Sequence, residues 1–531
     1  MKNLKFIILL FAIITVSGCK DYLDVNVNPN NPQKADAANL LAPVLANMIR
    51  GEWFDSRAVG QYIQTWGAPT ANNVFEAQGY VPGSDTPGEK WRQHYYGIGA
   101  NIDLMLEDAI KGEKWDYVGV AYAIRAWSWQ TSTDVYGEMI LKQAWDVTRA
   151  TYNYDPQEEV YAEVVRLCTL ALENLSRTDG AVSQANLARG DLMYYGDRAK
   201  WIKFVYSILA MNAHHLSNKA TYNPDKVIEF VDKSFASNAD NATIQVNGTS
   251  SADANFYGPA RGNLTLLRQS DYIVKLLDGR ILTGSITPNN NLDPRLPLVL
   301  SSSGDGVYRG AEPTRGALNS TSSTLSIPYL WGTPSWGTAI QTPLPVAGAA
   351  TKYIFRDNSR GILFTYSQTQ FMKAEALFRK NGNIGNSAAL AAYREGIGAS
   401  LDFVSNPPTG TLVVSSNNSI SSTARAAYLA SAAVAQTPAT LKISDIMQQK
   451  YIASFAYGHL ETWVDMRRFR YDTNVYQGFV INALDINNGG KLAYRIRPRF
   501  NSEYLWNVEA LNKIGALALD YHTKEPWFIQ N

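Results

Sequence analysis

Residues 458–469 read Gly-His-Leu-Glu-Thr-Trp-Val-Asp-Met-Arg-Arg-Phe. Glu461 and Asp465 lie four residues apart, so they share one face of a predicted helix. Arg467 and Arg468 follow directly, and carboxylates placed beside arginines usually form ion pairs that lower the carboxyl pKa. A low pKa disfavours a role as general acid. The stretch therefore predicts a salt-bridged scaffold helix, although paired carboxylates also suit a glycosidase and that alternative stays open.

Helical periodicity extends outward from this stretch over most of the chain. Apolar residues recur at spacings of three and four, as in Val160, Val164 and Leu167. Asp155 is the expected N-cap of that helix, with Pro156 at its first position. The pattern predicts helices near 40–51, 98–112, 115–131, 155–175, 198–217, 224–236, 365–380, 387–398, 441–457 and 459–468.

The predicted fold class is mostly α. Antiparallel helix pairs joined by polar turns resemble tetratricopeptide-type pairs, although no clean repeat of about 34 residues is visible. Three stretches lack a helical period, namely 51–90, 237–350 and 403–440. Irregular loops of this length are uncommon and tend to be functional. A helical scaffold whose long loops form a ligand face is the plan of a binding protein.

Two loop clusters combine tryptophan and tyrosine with glycine, proline and amide side chains. A sugar ring offers an apolar C–H face, which suits a rigid aromatic platform, and hydroxyl edges, which suit Asn, Gln, Asp or Arg. Aromatic residues that close a loop onto the core are the alternative for each ring. Trp91, Tyr95 and Tyr96 lead into a helix, which favours core packing there. The predicted ligand-contacting residues are Trp66, Asn72, Asn73, Phe75, Tyr80, Tyr329, Trp331 and Trp336.

The N-terminus has the parts of a lipoprotein signal. Lys2 and Lys5 precede an apolar run over 6–16, and small residues lead to Cys19. The run is too short to span a bilayer, which takes roughly 20 residues, so it predicts a secretory signal cut before an acylated cysteine. An ordinary signal peptide with a chance cysteine is the alternative. The expected division is a signal peptide over 1–18, a lipidated polar leader over 19–35 and a single helical domain over 36–531.

Composition narrows the function further. The chain has 531 residues and a formal net charge of +1, which gives no electrostatic case for nucleic acid. Its 46% hydrophobic and 18% charged residues are those of a globular protein. Nucleophile-elbow, P-loop and zinc-protease motifs are missing, and the five histidines lack metal-ligand spacing. Neither a catalytic residue, a metal nor a cofactor is expected, and Cys168 is expected to be a buried, inert thiol.

Further motifs occur in a fixed order along the chain. They are Leu23-Asp-Val-Asn26, Asp134-Val-Tyr-Gly137, Gln370-Phe-Met-Lys-Ala-Glu-Ala376, Ile446–Phe455, the 458–469 stretch, and Tyr494-Arg-Ile-Arg-Pro-Arg-Phe500 followed by Ser502-Glu503 and Asn507. Together with the signal that ends at Cys19, this set resembles the SusD/RagB family of nutrient-binding outer-membrane lipoproteins of Bacteroidetes. The resemblance covers essentially the whole chain.

The resemblance implies a surface lipoprotein that is not an enzyme. It would act as a lid, capturing a polysaccharide or oligosaccharide and closing it into a SusC-like TonB-dependent transporter barrel, while a lipid anchor holds it to the outer membrane. A peptide-capturing lid is the alternative within the family, and an envelope glycosidase is the alternative outside it. Ligand residues in the family carry no fixed motif, so the eight predicted above rest on chemistry alone.

Overall fold

The computed structural model describes residues 35–316, 324–332, 352–410 and 419–531. Cys19, the rest of the predicted signal and leader as far as residue 34, and Trp336 lie outside the described residues. The helices are α1 (Ala37–Tyr62), α2 (Glu89–Arg92), α3 (Ala100–Lys111), α4 (Trp115–Tyr136), α5 (Gln157–Leu175), α6 (Gln184–Ala188), α7 (Arg198–His215), α8 (Pro224–Lys233), α9 (Asp271–Leu277), α10 (Arg280–Thr283), α11 (Leu296–Val299), α12 (Tyr366–Lys380), α13 (Ser387–Ser405), α14 (Ser422–Leu429), α15 (Ile443–Ala453), α16 (His459–Arg468) and α17 (Val508–Lys513).

Strands are few and short in the described chain. They are β1 (Trp66–Gly67), β2 (Ala242–Ile244), β3 (Arg268–Gln269) and β4 (Gly361–Phe364). β1 pairs with β3 and β2 with β4, both antiparallel. Two π-helical segments, Gln93–Gly99 and Phe500–Tyr504, complete the framework; the first joins α2 to α3 without a break.

Helices pack as successive pairs. α4 lies along α5, α7 along α8, and α12 along α13, while α5 with α7 and α8 with α12 link one pair to the next. Apolar residues from all these helices share one continuous core. The mostly helical, tetratricopeptide-like scaffold predicted from the periodicity is therefore confirmed. Among the described helices, none has the length and apolarity that crossing a membrane requires.

Asp155 is not the N-cap of α5, contrary to the sequence prediction. Pro156 takes that position and the helix begins at Gln157. The Asp155 carboxylate instead accepts hydrogen bonds from the backbone N–H groups of Leu141 and Lys142, at 2.9 and 2.8 Å. It therefore fastens the loop that leaves α4 to the start of α5, a partnership that no local pattern reveals.

The prediction of an irregular stretch over 51–90 is wrong at its start. α1 runs through Gly51 to Tyr62. Gly51 does not end the helix; it lies where α1 packs closely against the π-helical segment Gln93–Gly99. A Cβ at this glycine would lie 2.3 Å from Oε1 of Gln93. The other two stretches also contain helix: α9, α10 and α11 fall within 237–350, while the end of α13 and all of α14 fall within 403–440.

The ion pairing predicted for the 458–469 stretch is present in part, and it is buried. Asp465 pairs with Arg468 as predicted. Glu461 pairs instead with Lys450 and His215, and Arg467 donates to the backbone carbonyls of Asp134 and Tyr494. Lys450 Nζ lies 3.2 Å from a Glu461 oxygen and 2.7 Å from an Asp465 oxygen. Burial opposes ionisation of Glu461, but His215 and Lys450 outweigh it and lower the pKa of its carboxyl. Glu461 is thus held as a carboxylate inside the scaffold, which suits an ion-pair partner and not a proton donor.

A second layer of buried charge continues from this one. Arg468 donates to Asp465 at 2.6 Å and to both oxygens of Glu375, each at 2.9 Å. Glu375 also accepts from Arg379 at 2.8 Å and meets His214 at 2.9 Å. Since these groups come from α7, α12 and α16, the network joins three helices of the core.

Candidate functional site

The two aromatic loop clusters predicted from the sequence meet in the structure. Trp66 pairs with Gln269 and Gly67 with Arg268 in the β1–β3 ladder. Arg268 forms a further bridge with Tyr329. A single short ladder thus joins the loop after α1 to the second cluster, although more than two hundred residues separate them in the chain.

Three of the predicted rings, those of Trp66, Tyr329 and Trp331, point into the protein. Trp66 is 0% exposed, and its indole N–H donates to the Ser56 carbonyl at 3.1 Å. Trp331 is also buried and donates to the carbonyl of Tyr257 at 2.6 Å. Tyr329 is buried, with the guanidinium of Arg268 at 4.0 Å from its ring centroid.

This burial favours the alternative considered for these rings, that they close loops onto the core. A buried Trp side chain needs apolar contacts for its ring and a hydrogen-bond acceptor for its N–H. Trp66 and Trp331 find both inside the protein. The ring faces needed for sugar stacking are covered in this conformation. Ligand contact at Trp66, Tyr329 and Trp331 stays a prediction that only a binding measurement tests.

A buried carboxylate that sequence reasoning missed holds the junction together. Glu76 accepts from the backbone N–H of Ala68 at 2.8 Å and from that of Thr314 at 2.9 Å. Asn72 adds a backbone bond to the Thr314 carbonyl at 2.8 Å. Burial raises the pKa of Glu76 to about 6. No motif marks this residue, because both of its partners are backbone groups supplied by the tertiary fold.

Four predicted residues reach or approach the surface. Asn72 is exposed and has a left-handed backbone with φ of 58°. The side chain of Asn73 accepts from the Phe75 N–H at 2.9 Å, and Phe75 is half-buried against Tyr62. Tyr80 is half-buried in a different place, with its ring 4.5 Å from the Arg497 guanidinium. The first three therefore lie on one surface and Tyr80 does not join them there.

We call that surface the loop face; it consists of residues 70–75, 313–316 and 480–482. Asn482 joins it by donating to the Pro313 carbonyl at 2.8 Å. Arg315 contributes a guanidinium on a side chain that is 69% exposed, and this group pairs with Glu312 at 3.0 Å. The loop face offers amides, a cation and an aromatic edge, a set suited to recognising hydroxyl groups. In the described part of the chain, no group of three or more His, Cys, Asp or Glu side chains is placed to hold a metal.

Comparison with known families identifies the class of protein. A family model for SusD-like proteins, described as "Starch-binding associating with outer membrane", matches residues 29–496. The match spans most of the chain. The chain therefore belongs to this SusD-like family, as its motifs predicted. No curated protein matches the chain by sequence.

Solved structures share the fold. A SusD/RagB family protein of Bacteroides thetaiotaomicron has a TM-score of 0.65 at 19% identity, with 93% of this chain and 99% of that one covered. A SusD homologue of Bacteroides fragilis has a TM-score of 0.64 at 17% identity, covering 93% and 100%. A chitin-binding SusD homologue from Flavobacterium johnsoniae has a TM-score of 0.67 at 18% identity, covering 93% and 99%.

Proposed function

We propose that this protein captures a nutrient glycan on its loop face and passes it to a TonB-dependent transporter of the outer membrane. The observation that carries the proposal is the meeting of three distant loop segments, which are held together by the buried Glu76 and by the hydrogen bond from Asn482 to the Pro313 carbonyl. Membership of a family described as starch-binding supports a carbohydrate ligand, and so does the chitin-binding neighbour of like fold.

The chemistry of the loop face suits a carbohydrate. Hydroxyl groups both donate and accept, so they pair with amides such as Asn72 and with a guanidinium such as Arg315. The half-buried Phe75 offers an apolar edge for C–H groups. The buried Trp66 and Trp331 support this surface from the core and serve as its foundation in that sense. Each fixes a loop to the core through one indole hydrogen bond and through packing of its ring.

Delivery requires that the protein stay near its partner. Acylation of Cys19 would supply several acyl chains, and two or more membrane signals anchor a protein stably where one does not. A tether of this kind also raises the effective concentration of the protein beside a SusC-like barrel. On this proposal binding is the whole task, and the ion-paired Glu461 and Asp465 serve the scaffold rather than a hydrolytic reaction.

Affinity electrophoresis tests the capture step. Soluble residues 20–531 are run through gels that contain starch, chitin derivatives, xylan, mannan or an acidic polysaccharide. The variants are Asn72→Gly, which removes the amide without straining the left-handed backbone, Arg315→Ala, and the two combined. The matched control is Asn512→Ala, at an exposed position of α17.

We expect one neutral polysaccharide to retard the parent protein and the control alike, and the double variant to migrate as it does in a blank gel. Unchanged retardation of the double variant would remove the loop face from the proposal. Retardation by none of the polysaccharides would overturn glycan capture and favour the peptide-capturing alternative.

A further inference from the structure

A separate cavity of about 530 Å³ lies away from the loop face. Its volume is within the range of small-molecule binding sites. It is bounded by the π-helical segment Gln93–Gly99, the loop that follows α4, and the π-helical segment Phe500–Tyr504. None of its lining residues belongs to the loop face. Those that matter below are Tyr95, Tyr96, Trp145, Arg499, Ser502 and Glu503.

The aromatic wall of this cavity is built in advance. The Trp145 indole donates to the Tyr95 carbonyl at 2.7 Å. A Cβ at Gly99 would lie 1.8 Å from a ring carbon of Trp145, so the indole occupies space that only glycine leaves free. Trp145 also has a left-handed backbone with φ of 61°, an unfavourable conformation for a bulky residue. Such strain persists where the surrounding structure fixes it, often at a binding site.

The opening of the cavity carries a further ring. Tyr96 is 71% exposed although it lines the cavity, which corrects the expectation of core packing at this position. Its neighbour Tyr95 is half-buried and is fixed by its hydroxyl, which accepts from the Ile140 N–H at 2.8 Å. An exposed ring beside fixed ones gives a ligand two kinds of aromatic surface.

Two polar residues that line the cavity, Ser502 and Glu503, each have a side-chain oxygen without a hydrogen-bond partner in the described chain. The Oγ atom of Ser502 is shielded from solvent and has no hydrogen-bond partner among the described residues. Glu503 uses one oxygen to accept from Tyr154 at 2.7 Å and from Asn507 at 2.9 Å. Its second oxygen has no protein donor in the described chain. A ligand hydroxyl can satisfy both groups, because it donates and accepts.

Both π-helical segments of the described chain border this one cavity. A π-helical turn is rare and is frequently found at functional sites, since it gives up regular hydrogen bonding to place side chains. Here the first segment places Tyr95 and Tyr96, and the second places Ser502 and Glu503. The two π-helical segments therefore both place side chains in the wall of the same cavity.

The charges around the cavity decide the class of ligand. Arg499 is paired with Asp85 at 2.5 Å, and Arg92 with Glu89 at 3.3 Å. Each guanidinium has a carboxylate partner in the protein, and Glu89 is shared with Arg50, which lies 2.7 Å from the same oxygen. Glu503 adds a carboxylate that no arginine pairs with, so the site has no surplus positive charge to hold an acidic sugar.

We propose that this cavity is a second carbohydrate site, which binds one or two neutral pyranose rings. Tyr96 and Trp145 contact the C–H faces of the sugar, while Ser502 and Glu503 take its hydroxyl groups. The ligand class rests on the proposed glycan-capturing function, whereas the location rests on the cavity alone. A glycan bound at the loop face and here at once would gain avidity over a free monosaccharide.

Saturation-transfer NMR with small glycosides tests this site apart from the loop face. The probes are the methyl glycosides of glucose, mannose, galactose and N-acetylglucosamine, with methyl glucuronoside as the acidic comparison. The variants are Tyr96→Ala and Ser502→Ala, neither of which removes a protein hydrogen bond. Trp506→Ala is the matched control, because this ring is 74% exposed and does not line the cavity. The loop-face double variant forms a second arm.

We expect at least one neutral glycoside to bind, with affinity reduced roughly tenfold in Tyr96→Ala, the loss of about one ring contact. Trp506→Ala and the loop-face double variant should keep this binding, and the glucuronoside should not bind. Binding that survives both cavity variants would overturn the proposal. So would the lack of any glycoside contact in a protein that polysaccharide gels still retard, a result that leaves the loop-face proposal intact. Failure in both assays would remove both proposals.

Discussion

Replacement of Trp66 by alanine should destabilise the whole protein, because its indole belongs to the core. The ring is fully buried, packs 5.8 Å from the Tyr257 ring and 4.2 Å from the His459 ring, and covers Gly60. A Cβ at Gly60 would lie 2.3 Å from the indole nitrogen, so the indole packs directly against the α1 backbone and alanine would leave a cavity there. Large-to-small changes at such sites cost about 3–5 kcal/mol. We expect the free energy of unfolding to fall by about 4 kcal/mol.

Equilibrium unfolding in guanidinium chloride, followed by far-ultraviolet circular dichroism, measures this loss. Trp66→Phe keeps most of the ring packing but loses the hydrogen bond to the Ser56 carbonyl, so its expected loss is about 1 kcal/mol. Trp506→Ala removes a largely exposed ring and should change stability by no more than about 0.5 kcal/mol. The expected loss of stability is therefore largest for Trp66→Ala, smaller for Trp66→Phe and smallest for Trp506→Ala. The two alanine variants differ because Trp66 is buried and Trp506 is largely exposed.

Polysaccharide binding of the same variants supplies the refuting result. If Trp66 is a foundation of the loop face, Trp66→Ala loses binding only in proportion to its loss of folded protein. A Trp66→Ala protein with the parent unfolding midpoint and no retardation in the gel would show that the ring contacts the ligand directly. The interpretation of the buried ring as a foundation would then be wrong.

Two further predictions concern the buried charges. Glu375→Gln leaves Arg468 without its bidentate partner, and the unfolding free energy should fall by about 3–5 kcal/mol in the same denaturation assay. Alkaline pH should also destabilise the fold through His215: burial opposes its protonation, but Glu461 and Asp134 outweigh it and raise its pKa to about 9. Because the folded pKa exceeds the unfolded value of about 6.5, this stabilisation is complete below that pH and is lost as the pH rises towards 9, by about 1.4 kcal/mol per unit.

Each of these has its own control. Glu509→Gln changes a carboxylate whose side chain is 86% exposed and should leave stability within about 0.5 kcal/mol of the parent; an equal loss in both Gln variants would contradict the buried-network interpretation. His215→Asn has no titrating ring at this position. Its unfolding free energy should decline less between pH 6.5 and 9 than that of the parent, as measured by denaturation at several pH values. Parallel curves would exclude His215 as the cause.

Local chemistry determined much of the scaffold. Apolar spacing predicted most of the long helices, because the residues that a helix buries recur over consecutive turns. It missed the last eleven residues of α1 and the last seven of α13. The spacing of Asp465 and Arg468 indicated an ion pair, and that pair exists. Glu461 pairs instead with Lys450 and His215, which lie outside the stretch. Predictions from local sequence failed where a residue contacts another segment of the chain. Gly51 leaves room for the Gln93 side chain. The Asp155 carboxylate accepts hydrogen bonds from the backbone N–H groups of Leu141 and Lys142.

The candidate sites depended far more on the tertiary structure. The sequence around a tryptophan in a glycine-rich loop does not show whether its ring faces solvent or the core. The structure shows that Trp66 belongs to the β1–β3 ladder and that its ring is buried. Glu76 has no signature, since its partners are backbone amides more than two hundred residues apart. The cavity beside Tyr96 joins two segments about four hundred residues apart. Sequence alone determined most of the long helices, the near-neutral charge and the family, because each is encoded in neighbouring residues or in composition. The exposure of each ring and the shape of each cavity were decided by contacts between segments that only folding brings together.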